Sequence, residues 1–412
     1  MKILWVKPGK LLPLHTGGQL RTYNILRQLS VTQKLTYLSF YGGARDEAYE
    51  QEIDSYIPGT LVKHTPALNE ARSTDYLRRF PSRAPYAVTK FTTREVQKLL
   101  AEWIPQRRFD VAVCDFLCTV LNFPKNPATP TALFQHNVET VLWKRKARFE
   151  AKWLDRMISK IEYAKMARFE PAQVRRFHHV IAVSEQDRQA MRSMCDLSHI
   201  SVVPTGVDLA KYQYDPSQRS SGPLVIFTGS MDWEANIDGV EYFCKDIWPR
   251  VLAQVPEARF RIVGRDPHPR VKKLASDSVE VAGTVPSIVD HLRAAAVFVV
   301  PLRIGGGTRI KIYEAMAIGK ATVSTTVGAE GLDVQHGGNI LIEDDPAGFA
   351  EAIVKLLRDE VLRRGFEAAA AATARQYDWS VITERFVEVL EKTIRAAEAE
   401  TALSPQIDTV KA

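Results

Sequence analysis

Short apolar segments of β-forming residues alternate with helix-forming segments along most of this 412-residue chain. Each β-rich segment ends near Gly, Ser, Asn or Pro, and the segments between them carry apolar residues at helical spacing. This strand–helix repetition predicts an α/β protein built on parallel sheets. The predicted strands form two series: KILWVKP, KLTYLSFY, LVKHTPA, DVAVCDF, TALFQHN, HVIAVSE and HISVVPTG, then LVIFTGS, ARFRIVG, VEVAGTV, AVFVVPL, KATVSTTVG and NILIEDD.

Two series of strands predict two domains, which the length also favours, because single cores stop growing at about 250–300 residues. The segment KYQYDPSQRSSGP between the series is polar and rich in Pro, Gly and Ser, so it is the predicted linker. The predicted organisation is an N-terminal domain at 1–210, the linker at 211–223, a C-terminal domain at 224–376, a helix at 377–400 returning to the first domain, and a tail at 401–412.

The composition is that of an ordinary globular protein, with 45% hydrophobic and 25% charged residues. No apolar run approaches the roughly 20 residues that span a bilayer. The N-terminal MKILWVKPGK has too short an apolar core for a signal peptide, so it favours a first buried strand in a cytoplasmic protein. The four cysteines form no CxxC pair or zinc spacing, and neither a disulfide nor a metal site is expected.

The segment PLRIGGGTRIKIYEAMAIGKATVSTT, residues 301–326, places glycines between a predicted strand and a predicted helix. Ligands of parallel sheets bind at the carboxyl ends of strands, where helix N-termini attract anions. Glycine lets backbone amides approach a phosphate, and Thr308, Arg309 and Lys311 add donors and charge. A bound phosphate or diphosphate is the favoured interpretation; the alternative is a flexible turn before a solvated basic helix. The segment matches neither a P-loop nor the GxGxxG fingerprint.

Three further candidates lie at predicted strand ends or helix starts. Glu314 either complements the helix dipole or accepts hydrogen bonds from a vicinal diol such as a ribose. Gly17 and Gly18 begin the helix that follows the first strand. They form either a second anion-binding site or a turn without a ligand. His136 lies at the end of the strand TALFQHN. It either hydrogen-bonds a sugar hydroxyl or a phosphate, or is a structural histidine hydrogen-bonded to the backbone.

Positive charge is concentrated in residues 141–176, which carry 11 Lys and Arg against 4 Asp and Glu. This surplus of 7 equals the net charge of the whole chain, +7. The apolar residues among these cations have helical spacing, so the segment predicts one or two amphipathic helices. They either lie on an anionic bilayer or pack their aromatic side chains in the first domain's core beneath a solvated basic rim.

These segments resemble, in order, a large family of retaining, nucleotide-sugar-dependent glycosyltransferases with the GT-B fold. The resemblance is carried by GGQLRTYNILRQL, HVIAVSE, VVPTGVD, VIFTGSMDWEANIDGVEYF, FRIVGRDP, VEVAGTV, FVVPLRIGGGTRIKIYEAMAIGKATVSTTVGAEGL and GGNILIEDDPAGFAEAIVKLL. It is dense over 200–360, recognisable at 1–30 and 131–206, and thin at 45–110. GSMDWEAN and PLRIGGGTRIKIYEAMA are similar to a bacterial branch that assembles surface polysaccharides. The implied fold is two Rossmann-like domains facing a central cleft.

The resemblance implies that the C-terminal half holds the donor nucleotide sugar and that the N-terminal half varies with the acceptor. One departure stands out: the family's Glu-x7-Glu pattern retains Glu314, implied to bind the donor ribose, but has Gly306 in place of the first glutamate. The Arg/Lys pair that many members carry after the GS loop is also replaced, by MDWEAN. Expected catalytic residues are His136, Arg303 and Lys311; expected donor-binding residues are Gly17, Gly18, Gly229, Ser230, Gly264, Arg265, Val285, Gly307, Thr308, Arg309, Ile310 and Glu314.

The resulting expectation is a metal-independent, retaining glycosyltransferase without a separate cofactor. Its expected partners are a nucleotide-sugar donor, a saccharide or lipid-linked saccharide acceptor and an anionic membrane surface, with peripheral attachment to the inner face of the cytoplasmic membrane. Two alternatives remain open: a nucleotide-sugar epimerase or hydrolase, for which His136 and Glu139 are among the few acid–base candidates, and an inactive nucleotide-sugar-binding subunit. A nucleic-acid partner is not expected, because the basic segment contains no recognisable module for one.

Overall fold

A computed structural model describes residues 1–66, 68, 73–106, 108–150, 152–304 and 309–403. The chain forms two compact units. The first comprises Met1–Pro204 and the chain from Ile382 onward, and the second comprises Thr205–Val381.

In the described part of the first unit, seven parallel strands form one sheet in the order β3-β2-β1-β4-β5-β6-β7. The central strand β1 pairs with β2 from Lys2↔Lys34 to Pro8↔Phe40, and with β4 from Ile3↔Val111 to Val6↔Cys114. β1 and β4 are apolar runs because helices cover both faces of a parallel sheet. The strands are β1 (Lys2–Pro8), β2 (Lys34–Tyr41), β3 (Thr60–His64), β4 (Val111–Asp115), β5 (Thr131–Gln135), β6 (His179–Ala182) and β7 (Ile200–Val202).

The helices of the first unit bury one face against this sheet. The first begins in a capping box, in which Thr16 accepts from the Gln19 amide and Gln19 bonds back to Thr16, and it buries Ile25, Leu26 and Leu29. The helices are α1 (Gly17–Thr32), α2 (Glu47–Tyr56), α3 (Ser73–Arg79), α4 (Tyr86–Thr89), α5 (Arg94–Trp103), α6 (Glu139–Phe149), α7 (Trp153–Val174) and α8 (Glu185–Met194), with a 3-10 helix at Leu117–Asn122.

In the described part of the second unit, six parallel strands form a sheet in the order β10-β9-β8-β11-β12-β13. The strands are β8 (Leu224–Thr228), β9 (Arg259–Val263), β10 (Val279–Gly283), β11 (Val297–Val300), β12 (Ala321–Ser324) and β13 (Leu341–Ile342). The helices are α9 (Glu234–Tyr242), α10 (Trp248–Leu252), α11 (Pro269–Lys272), α12 (Ile288–Ala294), α13 (Ile310–Ala317), α14 (Pro346–Arg358) and α15 (Glu360–Ala374), with a π-helical segment at Phe243–Ile247 and a 3-10 turn at Arg375–Tyr377. The predicted α/β class, with two doubly wound parallel sheets, is confirmed.

The last described helix, α16 (Trp379–Leu403), is longer than the predicted 377–400. From Ile382 onward it belongs to the first unit. Its Phe386 stacks on Trp5 of β1 with 5.2 Å between ring centroids and meets Phe134 of β5 edge-on at 5.1 Å. Aromatic packing by Phe386 therefore attaches α16 to the first sheet.

The segment 211–223, predicted as the linker, lies inside the second unit, and the division between units falls at Pro204 and Thr205. Tyr212 is buried, and the ring of Tyr214 packs so closely on Gly319 that a Cβ there would lie 2.3 Å from it. A polar composition suggested a linker, but the two aromatic side chains anchor this segment.

Candidate active site

The carboxyl edge of the second sheet contains a topological switch point, because β8 lies between β9 and β11. Ligands of open parallel sheets bind at such points, outside the carboxyl ends of the strands. Gly229 and Ser230 directly follow β8, and α13 supplies Lys311 and Glu314. These residues are half-buried, and they define what we call the second-sheet site.

Two glycines at the second-sheet site allow a very close approach of backbones. A Cβ on Gly264 would lie 1.6 Å from the carbonyl oxygen of Gly229. A Cβ on Gly229 would lie 2.6 Å from Lys311 Nζ. Any side chain at either position would therefore displace the loop or the lysine.

Lys311 is held in place by Asn236 and Phe227. Its ammonium donates to Asn236 Oδ1 at 3.0 Å and lies 4.2 Å from the centroid of the Phe227 ring. The Asn236 amide donates in turn to the Ser230 carbonyl at 2.8 Å. Burial and, next, the charge of Arg309 lower the pKa of Lys311 to about 7, against the opposing charge of Glu314. An anion bound here would favour the charged ammonium and raise that pKa.

Glu314 lies one turn beyond Lys311 on α13. Its Oε1 accepts a 2.8 Å hydrogen bond from the hydroxyl of Tyr212. Burial raises the pKa of the Glu314 carboxyl, while the Tyr212 hydrogen bond and the charges of Lys211 and Lys311 oppose that rise. A carboxylate has two acceptor oxygens, so Oε2 provides acceptor capacity besides the atom bonded to Tyr212.

The predicted residues Ser230 and Arg265 contact each other. Arg265 Nε donates to Ser230 Oγ at 2.8 Å, and Ser230 Oγ donates to Asp232. This hydrogen bond lowers the pKa of the Asp232 carboxyl. Val285 is half-buried in the loop that follows β10. The loops after β8 and β9 are thus joined by side chains that sequence analysis assigned to donor binding.

The start of α13 falls close to the position expected from the glycine-rich segment. The helix begins at Ile310, with Arg309 as its N-cap residue. The predicted residues Gly307 and Thr308 lie outside the described residues, as does Gly306. Their proposed contacts with a donor remain predictions.

Arg303 is engaged differently from Lys311. Its guanidinium donates to Asp238 on α9 at 2.6 Å and lies 4.4 Å from the centroid of the Tyr242 ring. The Arg303 side chain is half exposed. Its predicted role in neutralising a diphosphate is an expectation that the ion pair with Asp238 does not test.

The carboxyl edge of the first sheet has its own switch point, at β1 between β2 and β4. Asp115 ends β4 there and is completely buried. It accepts hydrogen bonds from Trp5 Nε1 at 3.0 Å, Thr22 Oγ1 at 2.7 Å and His136 Nε2 at 2.6 Å. This carboxylate therefore joins β1, α1, β4 and the end of β5, and we call the group around it the Asp115 network.

His136 belongs to the Asp115 network and has a protein partner on each ring nitrogen. Besides the contact with Asp115, its Nδ1 lies 2.9 Å from Arg21 Nη1, and its ring stacks on Phe116 at 3.9 Å. Burial lowers the pKa of His136 to about 4, with the cations Arg21 and Lys7 contributing and Asp115 opposing. In a neutral imidazole, Nε2–H donates to Asp115 and Nδ1 accepts from Arg21. Catalysis by His136, predicted from its strand-end position, would have to break one of these contacts.

The N-terminus of α1, at Gly17 and Gly18, lies beside the Asp115 network. Phe116 has a positive φ of 67°, an uncommon conformation for a bulky side chain. A Cβ on Gly18 would lie 2.5 Å from Cζ of Phe116. Glycine at position 18 thus lets α1 approach the ring that covers His136.

Sequence reasoning missed several residues that organise these sites. Asp115 satisfies the same strand-end criterion that selected His136, so that signal was present. Asn236 lies within the quoted GSMDWEAN but was not singled out. Tyr212 was assigned to a linker, and its sequence context gave no signal of a contact with Glu314.

Among the described residues, no group of three or more His, Cys, Asp or Glu side chains is arranged to hold a metal ion. The four cysteines are free thiols. Within the same described part of the chain, no helix is both long and apolar enough to cross a bilayer.

Comparison with known proteins matches both units to glycosyltransferase families. Residues 222–359 match the family described as Glycosyl transferases group 1, and residues 58–211 match Glycosyltransferase Family 4. A phosphatidyl-myo-inositol mannosyltransferase of Mycolicibacterium smegmatis is 28% identical over 221 residues, which cover 51% of this chain and 56% of the relative. The N,N'-diacetylbacillosaminyl-diphospho-undecaprenol α-1,3-N-acetylgalactosaminyltransferase of Campylobacter jejuni is 26% identical over 238 residues, covering 53% and 61%. The chain thus spans little more than half the length of these relatives.

The crystal structure of Anabaena HepE in complex with UDP and glucose has a similar fold. Its TM-score is 0.63 at 16% sequence identity, with 95% of this chain and 100% of that chain covered. The fold type predicted from the sequence, two Rossmann-like domains of the GT-B type, is confirmed. Both units match glycosyltransferase family models, the first unit Glycosyltransferase Family 4 and the second unit Glycosyl transferases group 1. The chain therefore belongs to the group 1 glycosyl transferases of the family-4 type.

Proposed function

We propose that this protein is a retaining glycosyltransferase that moves a sugar from a nucleoside diphosphate sugar to a hydroxyl group of a saccharide or lipid-linked saccharide. The observation that carries the proposal is the geometry of the second-sheet site. Lys311 is held against Asn236 beside two close-packed glycines, and Glu314 follows one turn later. An ammonium suits a diphosphate, and a carboxylate suits the two donating hydroxyls of a ribose.

In the proposed reaction, the bond between the anomeric carbon and the diphosphate breaks. The acceptor oxygen forms its new bond on the same face of the sugar, and its proton passes to the leaving diphosphate. Negative charge grows on the leaving group in the transition state, so a preorganised cation contributes most there, on the order of 3 kcal/mol. Lys311 and Arg309 supply positive charge at this edge, and the proposal therefore includes neither a metal ion nor a separate cofactor.

A lipid-linked acceptor is supported by the names of both curated relatives, one a phosphatidyl-myo-inositol transferase and the other a diphospho-undecaprenol transferase. It is also supported by the surface of α7, where Trp153 is 71% exposed and Leu154 and Met157 are more than half exposed. Apolar side chains of this size are normally covered in soluble proteins when they cluster. We propose that this exposed cluster and its cations lie on an anionic bilayer at the inner face of the cytoplasmic membrane.

The four acidic residues of 141–176 are unequally exposed. Two of the four acidic residues in 141–176, Glu162 and Glu170, are buried. Glu170 accepts hydrogen bonds from the amides of Glu139 at 3.0 Å and Thr140 at 2.7 Å, and so caps the N-terminus of α6. Glu162 lies 3.4 Å from Lys165 and pairs with that cation. A cation close to an anionic membrane contributes about 1 kcal/mol to binding.

The donor proposal is tested by thermal shift with UDP, GDP, ADP and dTDP and their glucose conjugates, followed by product analysis with saccharide and lipid-linked acceptors. Ligand binding to the folded state raises Tm by mass action. We expect stabilisation by one nucleotide and sugar transfer with retained anomeric configuration. Consumption of the donor without an acceptor would instead identify an epimerase or hydrolase, and binding without turnover a binding subunit.

The membrane proposal is tested by co-sedimentation with phosphatidylcholine vesicles, with and without phosphatidylglycerol. Binding should require the anionic lipid, decrease with salt and be lost in a Trp153→Ser, Leu154→Ser variant. Val361→Ser, which changes an exposed apolar residue of the second unit, is the matched control. Equal, negligible sedimentation with both lipids would favour a soluble acceptor.

A further inference from the structure

The contact between Tyr212 and Glu314 joins two parts of the second unit that are far apart in sequence. The Tyr212 hydroxyl donates to Glu314 Oε1 at 2.8 Å across 102 residues of chain, and the Tyr212 side chain is buried. The bond reaches one of the two carboxylate oxygens. A carboxylate group can rotate about the bond that joins it to the rest of the side chain. A hydrogen-bonding hydroxyl held against one carboxylate oxygen therefore also fixes the direction of the other oxygen.

The segment that carries Tyr212 is held by the second unit on both sides of Asp208. The Val207 amide donates to the Tyr377 carbonyl at 2.7 Å, and the Leu209 amide donates to Asp378 Oδ2 at 3.4 Å. A Cβ on Gly206 would lie 2.6 Å from the ring of Trp379. Tyr212 is thus presented to Glu314 by an anchored backbone, as a positioning group must be.

We propose that Tyr212 is a positioning residue for donor binding, which holds Oε1 of Glu314 so that Oε2 is directed to the ribose hydroxyls of the nucleotide. The inference rests on the proposed function, in which Glu314 binds the donor ribose. It extends that function by assigning ribose recognition to a Tyr–Glu pair. The tyrosine does not touch the nucleotide and acts through the carboxylate alone.

The same contact opposes protonation of Glu314. Burial favours the neutral carboxylic acid, and the Tyr212 hydrogen bond is the first influence that opposes it, followed by the charges of Lys211 and Lys311. A neutral acid would carry a proton on one oxygen and would lose acceptor capacity for a diol. Without the hydroxyl, the carboxyl would therefore take up a proton at higher pH.

The test is Tyr212→Phe, which keeps the buried ring and removes the hydroxyl alone. The matched control is Tyr214→Phe, the same change in the same segment, at a ring that packs on Gly319. Binding of UDP, GDP, ADP and inorganic pyrophosphate is measured by calorimetry for wild type, both variants, Glu314→Gln and the Tyr212→Phe, Glu314→Gln double variant, between pH 5 and 8.

We expect Tyr212→Phe to weaken binding of the preferred nucleotide about fivefold, the scale of a hydrogen bond to a charged group partly replaced by water. Pyrophosphate binding and the Tyr214→Phe variant should stay within about twofold of wild type. In the Glu314→Gln background, Tyr212→Phe should have no further effect, because its target is gone. As the pH is lowered, the affinity for the nucleotide should begin to fall at a higher pH in Tyr212→Phe than in wild type.

Two results would overturn the inference while leaving the donor assignment intact. One is unchanged nucleotide binding in Tyr212→Phe when Glu314→Gln weakens it. The other is an equal loss from Tyr212→Phe with and without the carboxylate. If Glu314→Gln itself leaves nucleotide binding unchanged, the assignment of Glu314 to the ribose fails, and the role of Tyr212 fails with it.

Discussion

In the first sheet, charged side chains at the switch point are closed off from solvent and bonded to one another, whereas those of the second-sheet site are only partly buried. Asp115 is 0% and His136 2% exposed, and each has several polar partners. Lys311 rests on one amide oxygen and one aromatic face. Similar residue types at equivalent edges thus build a closed hydrogen-bonded framework in one unit and a less enclosed candidate site in the other.

This difference shows that a position at the end of a strand does not by itself distinguish a residue that stabilises the fold from a residue that binds ligand or takes part in catalysis. A buried charge is tolerated only where neighbours compensate it, so the Asp115 network acts on stability first. A partly buried cation whose pKa is lowered by burial, such as Lys311, gains electrostatic energy when an anion binds beside it. Variants at the two edges should therefore change different observables.

The largest expected effect is on stability, from Asp115→Asn. The variant removes the carboxylate that contributes most to compensating the buried ammonium of Lys7, and leaving a buried charge uncompensated costs about 3–5 kcal/mol. We expect the free energy of unfolding of the first unit to fall by about this amount in urea titration. Asp110→Asn, at an exposed carboxylate that accepts the Lys2 amide, is the control. A loss below about 1 kcal/mol for Asp115→Asn would contradict the framework role.

His136 should make the stability of the first unit depend on pH. Its pKa falls from 6.5 to about 4 on folding, so its contribution is present above pH 6.5 and is lost as the pH falls toward 4. The loss amounts to at most about 3 kcal/mol. His136→Gln should remove this part of the pH dependence between pH 6.5 and 4. Parallel stability curves for the two proteins would show that the imidazole does not titrate across this range.

Lys311→Ala should lower turnover about 10²-fold, because it removes a cation expected to stabilise the leaving diphosphate. Urea unfolding should show an intact fold. Lys355→Ala, an exposed lysine of α14, should retain wild-type turnover. Near-normal turnover in Lys311→Ala would remove Lys311 from the site and would weaken the contrast between the two edges.

The lowered pKa of Lys311 also predicts a pH effect on nucleotide binding. The lysine is half neutral near pH 7 without ligand, and a diphosphate binds the charged form more strongly. Affinity for UDP, or for whichever nucleoside diphosphate binds, should fall by up to about tenfold per pH unit above pH 7, with proton uptake on binding near that pH. Lys311→Met should bind more weakly without this decline. An equally steep decline in Lys311→Met would assign the titration to another group.

The smallest expected effect is from Arg303→Ala. The guanidinium is ion-paired with Asp238 in a half-exposed position, where such pairs contribute about 0–1 kcal/mol. Turnover should fall no more than about fivefold. A loss comparable to that of Lys311→Ala would show that Arg303 leaves Asp238 when the donor binds, as the catalytic role predicted from the sequence requires.

Much of the fold followed from local pattern. Each of the strands predicted from its β-rich run is present, with bounds shifted by at most four residues, because burial on both faces of a parallel sheet imposes an apolar run that is visible in sequence. The helix predicted after the glycines of 301–326 is present and begins at Ile310. Gly229 and Gly264 were expected to bind the donor, but only the structure shows their close approach, at which a Cβ on Gly264 would lie 1.6 Å from the Gly229 carbonyl oxygen.

What the sequence determined by itself was the alternation of strands and helices, the family, and the residues that border each strand end. These depend on spacing along the chain, which a single sequence contains. The tertiary structure alone decided that Asp115 and Arg21 engage both nitrogens of His136, that Arg303 pairs with Asp238, and that Tyr212 is buried against Glu314 instead of lying in a linker. Such pairs join residues 21 to 115 positions apart, and only packing of the sheets and helices brings their polar atoms within hydrogen-bond distance.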